Sequence, residues 1–325
     1  MFHFSFHLDL HPDMSDHWVW SRHLDWGYYE HPPMVAWNMR MATELGNLIG
    51  VSNIAMLKLG SVIYSTLILY LSYMMGKVYF QPRIALIFVI LLESTIYFSI
   101  GSVFWHIDQF YLVAWLGCMI VMGKYFNDCN HKWFLVIGVI TGLGAISKYI
   151  MILFYLSLFA WIIFDRTKRK LIKNYYIYLS GIISFIIFSP VFYWNYVHDW
   201  ISFKFQLYKG LKGSSGIETF LLFSVGHIML FSIILTVLSW ILLFRSRLMN
   251  LNNNSVDKFL LSTVLTPFFF FTLSSLRGNV ADPHWLNITY FSLFLLLARY
   301  IDQFMIKQKP LYFYALIGTA YGLNY

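Results

Sequence analysis

Apolar runs close to the length of a bilayer-crossing helix, about 20 residues, recur through the chain from residue 54 onward. They fall at 54–76, 84–104, 109–123, 133–147, 149–164, 175–194, 218–244, 257–275 and 285–301, and a tenth begins near Leu311. Backbone polar groups in lipid must pair within the protein, so spans of this length are helices and not the short alternating strands of a barrel. The expected fold is all-α: a polytopic transmembrane helical bundle of about nine to ten spans. Composition agrees, with 59% hydrophobic and 12% charged residues and a mean hydropathy of +0.62. The net charge of +8 sits mainly in short loops between runs, where it sets orientation and gives no reason to expect a nucleic-acid partner. Cys118 and Cys129 form neither a disulfide framework nor a metal-ligand spacing.

Residues 1–53 are different. They read as one extracytoplasmic loop carrying acids and imidazoles, with a helix from Met34 to about Leu48 lying on the membrane surface. Residues 54–325 form the transmembrane module, and abrupt ends on both sides lead us to expect a chain truncated at each terminus. When the loops are threaded through the spans, most Lys and Arg fall on the side opposite residues 1–53, which places those residues outside an inner or plasma membrane. The densest polar stretch is Asp13 to Pro33, and Asp108, Lys148, Trp194 to Trp200, Arg277 and His284 thread to the same face.

Carboxylates, imidazoles and a few cations on one extracytoplasmic face suit group transfer from a lipid-linked donor. That reaction needs a base for an acceptor hydroxyl and positive charge for a departing phosphate. No glycine loop of the phosphate-cradling kind is present, and Gly142 and Gly144 read as close helix packing.

Several motifs carry a resemblance: LHPD at 10–13, WSRHLDWGYYEHPPMVAW at 20–37, LGAISKY at 143–149, SPVFYWNYVHDWISFKFQLYKG at 189–210 and HWLN at 284–287. With the Asp108 loop they resemble the bacterial GT-C glycosyltransferases related to protein O-mannosyltransferases and lipid A aminoarabinose transferase. The resemblance implies an inverting enzyme that takes a sugar from a polyprenyl-phosphate donor to a lipid, glycan or protein hydroxyl, with no cofactor required. Asp13 inherits the role of base. The glutamate expected beside it is Met14, so either Asp16 rebuilds the acidic pair or the site is degenerate. Asp108 matches a second external acid, and the bland reading is a helix-start aspartate.

Glu30, His31, Lys148 and Arg277 are the implied donor-phosphate residues, and Tyr29, Trp194, Asn195, His198 and His284 the implied substrate-binding ones. His31 replaces a stronger cation and is expected to titrate near neutrality. Lys148 has snorkelling as its alternative, Arg277 helix capping, and the segment around Trp194 an interfacial aromatic belt. Pro190 is expected to mark the end of the preceding span. His3, His7, His11, His17, His23 and His31 crowd one segment, yet none makes a recognised zinc spacing, so no metal ligand is assigned and a divalent ion stays an alternative. Two further alternatives are an inactive fragment of such an enzyme and a transporter or flippase for a lipid-linked sugar. Against the latter, no repeat between halves and no paired broken helices are evident.

Overall fold

The computed structural model describes residues 9–209, 216–244, 254–278 and 281–306. The expected run near Leu311, and His3 and His7, lie outside these residues. Every regular element among the described residues is helical.

The polar segment holds two helices, α1 (Pro12–Arg22) and α2 (Met34–Ile49), where a loop with a single helix was expected. Pro12 at the first turn and a His11 side chain that accepts from the Asp13 N–H at 3.3 Å start α1. Gly50, in the left-handed region at φ 73°, ends α2. Then come α3 (Asn53–Tyr79), α4 (Pro82–Glu93), α5 (Ile96–Ser99), α6 (Asp108–Asp128), α7 (Trp133–Ala145), α8 (Ile152–Phe164), α9 (Tyr175–Val197) and α10 (Ile201–Lys209). They are followed by α11 (Gly216–Leu230), α12 (Ile233–Phe244), α13 (Ser255–Leu276) and α14 (Asn287–Tyr300).

Four of these helices, α3, α6, α9 and α13, are long and apolar enough to cross a membrane, and α11 with α12 meets the same test only as a pair bent by 105°, the form of a broken span or a re-entrant loop. The expected run at 84–104 is not one helix. It breaks at Ser94 and Thr95, whose hydroxyls turn back onto the carbonyls of Leu91 and Leu92 and compete with the helical ladder. The α9 helix runs through Pro190 to Val197, so that proline does not end the span. The runs on either side of Ser147 and Lys148 are two helices, each shorter than a full crossing.

Two helices form the centre. From Asn287 to Ala298 every residue of α14 is buried, and α6 buries residues on all its faces, the pattern of a helix surrounded by protein. Close packing is set by glycines. A Cβ on Gly142 would lie 2.8 Å from Ile187 of α9, and one on Gly144 would lie 2.9 Å from Ala114 of α6, the helix packing read from their sequence. At the far end of the bundle Asp165 meets Ser255 and Lys258, Asp257 meets Arg299, and Lys168 lies over Tyr125 near the end of α6. Those cations therefore sit at the end opposite Asp108, which begins α6.

Candidate active site

The geometry of α1 builds one wall. Asp13, Asp16, His17 and Trp20 are spaced i, i+3, i+4 and i+7, so they share one helical face, and all four line a polar cavity of about 360 Å³. Met14 points the other way and is 2% exposed, packed with Val35, Met39, Leu57 and Trp105. An apolar residue there is what the core requires, and it leaves Asp13 on the cavity side.

The second wall begins at Asp108, buried at the start of α6. Its carboxylate accepts from Lys148 at 2.5 Å, from Tyr97 at 3.1 Å and from Asn287 at 3.0 Å. Asn287 is itself held by the Tyr97 and Tyr111 hydroxyls. Lys148 is carried to this depth by the break between α7 and α8, which the Ser147 hydroxyl fixes by donating to the Ile107 carbonyl at 3.0 Å. The ammonium also faces Tyr111 and Trp285 at 5.4 and 5.8 Å, so it does not snorkel to an interface.

His106 stands between the two aspartates, with Nε2 3.7 Å from Asp13 and Nδ1 3.5 Å from Asp108. His284 approaches Asp108 from the other side at 3.6 Å. These contacts set the charge states. The His106 imidazole beside it holds the Asp13 carboxyl down to about 2, against partial burial. Burial alone would lower the His106 imidazole, but the Asp108 and Asp13 carboxylates outweigh it and hold the ring above its usual value. Burial pushes His17 down to about 3 and His284 down to about 4. It also drives His31 well below the ordinary histidine value, helped by Lys148. His31 is therefore neutral through physiological pH, and the expectation that it titrates near neutrality is corrected by its burial beside an ammonium.

Two further spaces adjoin. An apolar cavity of about 320 Å³, walled by residues such as Ile68, Leu69, Phe98 and Leu112, ends at Asp13, His106, Asp108 and His284. An apolar groove of about 600 Å³ between α7, α8, α9 and α10 has Tyr149, next in sequence to Lys148, in its wall. Gln206, on the groove wall, donates to the carbonyl of Glu30, which lines the polar cavity.

Of the residues expected at the site, Asp13, Asp16, Asp108, Glu30, His31, Lys148, Tyr29 and His284 line the polar or the apolar cavity. Arg277 does not. It is exposed just past the end of α13 and borders none of the three spaces. Trp194, Asn195 and His198 are likewise absent from the three linings. Asn195 accepts from the Phe203 N–H at 3.2 Å and pins a turn in which Asp199 and Trp200 have φ of 53° and 60°. Trp194 stacks on His198 and packs against Gly27. The residue types at 194–200 thus hold the backbone of α9 and α10 in place. Conversely, His106, Tyr97, His17 and Asn287 were not assigned. His106 and Asn287 lie beside chosen residues in WHIDQ and HWLN, and that adjacency was the available signal.

Among known proteins, the family model of dolichyl-phosphate-mannose-protein mannosyltransferase matches residues 30–194, just over half of the chain. The chain belongs to this family. It is 26% identical over 194 residues to lipid A galacturonosyltransferase RgtD of Rhizobium johnstonii, covering 59% of this chain and 39% of that protein. Its fold matches that of ArnT from Cupriavidus metallidurans, a crystal structure with bound undecaprenyl phosphate, at a TM-score of 0.70 and 18% identity over 92% of this chain and 57% of ArnT. The family assignment and this likeness place the chain among the multi-pass membrane proteins of GT-C fold related to lipid A transferases. The chain spans well under two thirds of the length of either relative.

Proposed function

We propose that this family member is an inverting glycosyltransferase that moves a sugar from a polyprenyl-phosphate donor to a hydroxyl of a lipid acceptor on the extracytoplasmic face. The observation that carries this reading is the position of Asp13 on the wall shared by the polar cavity and the apolar cavity. In it, the donor's isoprenoid chain lies in the groove that has Tyr149 in its wall and its phosphate reaches Lys148, one residue earlier. The acceptor enters through the apolar cavity, and Asp13 takes the hydroxyl proton as the oxygen bonds to the anomeric carbon. The bond from that carbon to the phosphate oxygen breaks, and the electron pair leaves with the polyprenyl phosphate facing Lys148.

RgtD, whose name gives lipid A as its acceptor, and ArnT, solved with undecaprenyl phosphate, support the donor and acceptor classes. The cations gathered opposite Asp108 support an extracytoplasmic site. Met14, turned into the core, supports an intact acid at Asp13 and weighs against a degenerate site. The test is sugar transfer from a polyprenyl-phosphate-sugar extract by the protein in membranes. Asp13→Asn is expected to lower transfer at least 10³-fold with donor binding kept, and Asp16→Asn to lower it less than about 10-fold. Full transfer by Asp13→Asn sinks the assignment.

A further inference from the structure

Between α8 and α9 the chain reads DRTKRKLIKN at 165–174, five cations and one acid in ten residues. The fold turns that acid inward. Asp165 is fully buried, and its carboxylate accepts from the Thr167 N–H and hydroxyl and from the Ser255 hydroxyl, with Lys258 at 3.5 Å. Asp128, the exposed acid at the end of α6, accepts from the Asn130 N–H and the Trp133 indole N–H, both at 2.8 Å. Lys168 lies over the Tyr125 ring. Arg166, Arg169, Lys170 and Lys173 are exposed, and among the described residues no acid pairs with them.

The loop holds these cations in a fixed arrangement. Arg169–Lys173 is a 3₁₀ helix, in which positions i and i+3 eclipse. Leu171 is 7% exposed and packs into the core, so the other two edges face outward. Lys170 and Lys173 share one edge, and Arg169 and the exposed Ile172 share the other. Both ends are tied to the flanking helices: Arg169 Nε donates to the Ile163 carbonyl at 2.9 Å, and the Tyr178 hydroxyl donates to the Ile172 carbonyl at 2.6 Å. A surface ordered in advance loses little entropy when it takes a ligand.

The flanking residues set its depth. α9 is long and apolar enough to cross a membrane, and the loop immediately precedes it. Ile163 and Phe164 at the end of α8, and Tyr175 and Tyr178 at the start of α9, are all exposed. Apolar and tyrosine side chains exposed at a span end belong at the level where acyl chains meet headgroups. The unpaired cations therefore stand at headgroup level. Orientation of the chain needs only their number. It does not need the one acid of the loop to be buried or a two-lysine edge to be fixed beside an apolar one.

We propose that this loop binds an anionic phospholipid in the leaflet opposite the Asp13 face, with Lys170 and Lys173 on the lipid phosphate and Ile172 against its acyl chains. Charge complementarity and depth favour a membrane phosphodiester over a soluble anion, because a free phosphate has no acyl chain for Ile172 and the exposed end of α8 to meet. The proposal is independent of the transferase reading.

The experiment titrates the full chain, purified in a neutral detergent, with dioleoyl phosphatidylglycerol or dioleoyl phosphatidylcholine and measures bound lipid by native mass spectrometry. Phosphatidylglycerol is expected to bind at least tenfold more tightly than phosphatidylcholine. In the pair Lys170→Gln with Lys173→Gln that preference is expected to fall to about threefold or less, with phosphatidylcholine binding unchanged. The pair Lys204→Gln with Arg277→Gln, which removes two exposed cations at the opposite end of the bundle, is expected to keep it. Inorganic phosphate alone is expected to raise the melting temperature no more than chloride at equal ionic strength. Equal affinity for the two lipids, equal losses in the two pairs, or stabilisation by inorganic phosphate that matches phosphatidylglycerol overturns the proposal. An anionic lipid held at Lys148 instead would leave the Lys170 and Lys173 pair without effect, which also overturns it.

Discussion

Lys148 Nζ lies 2.5 Å from Asp108 Oδ1, and the two side chains are 5% and 2% exposed. A pair this deep is costly to break from one side, because the surviving charge has no water to turn to. Lys148→Met is therefore expected to destabilise the protein by about 3–5 kcal/mol. The double variant Lys148→Met with Asp108→Asn is expected to recover most of that loss, since no buried charge remains. Thermal unfolding in detergent measures both. A double variant no more stable than Lys148→Met would mean that Tyr97 and Asn287 depend on the Asp108 charge itself.

The same ammonium is the cation expected to meet the donor phosphate, in place of His31. Burial and Lys148 keep the His31 imidazole neutral at physiological pH, so it contributes shape, not charge. His31→Gln is expected to leave donor affinity within about threefold, while Lys148→Gln weakens it at least tenfold. Binding of a polyprenyl phosphate followed between pH 6 and 8 is expected to show no step from His31. A large loss in His31→Gln with a small one in Lys148→Gln would reverse the assignment.

What the sequence made legible follows from the range of the forces involved. Apolar runs report burial in lipid whatever their neighbours, so the all-α bundle and the helices starting near Asn53, Asp108 and Tyr175 were readable. Asp108 and Lys148 stood out as charges at the ends of apolar runs, and Asp13 only through the resemblance of its motif; all three line the cavities. Arg277 satisfied the same rule, yet it lies outside the three cavities, because which way a helix end faces is decided by packing that no local pattern records. His106 and Asn287 failed in the opposite sense. Their chemistry comes from partners far off in sequence, Asp13 lying 93 residues before His106 and Asp108 lying 179 before Asn287, and a histidine or asparagine gives no sign of such a partner on its own.

Acid should loosen the α1 wall. His17 is 4% exposed, its Nδ1 has no partner among the described residues, and burial holds it at about 3, below the ordinary value of 6.5. The unfolded chain therefore takes up a proton that the folded chain refuses, and stability falls as pH drops through 6.5. At pH 5 the cost from this one group is about 2 kcal/mol. His17→Gln, which cannot titrate, is expected to lose less stability than the wild type between pH 7 and pH 5. Equal losses in thermal scans at the two pH values would show that His17 is not the responsible group.

Glycine 60 offers a way to move the site without touching a charged residue. A Cβ at this position on α3 would collide with the six-membered ring of Trp105, itself 4% exposed and packed against Leu57, Met39 and Met14. Trp105 precedes His106, and its segment is tied to α3 through the Ser61 hydroxyl, which donates to the Val103 carbonyl at 3.2 Å. The ring is packed on its other side by these side chains, so Gly60→Ala is expected to shift the backbone that carries His106 away from α3. A displacement near 1 Å is enough to cost about 10²-fold in turnover. The expected result is a loss of that order in the turnover rate, with donor affinity little changed because Lys148 and the groove at Tyr149 are held by other helices. Gly117→Ala, where a Cβ would make only an ordinary 3.5 Å contact with Ile140, serves as the control and should keep its activity. Equal behaviour of the two variants would show that the Trp105 contact does not position His106.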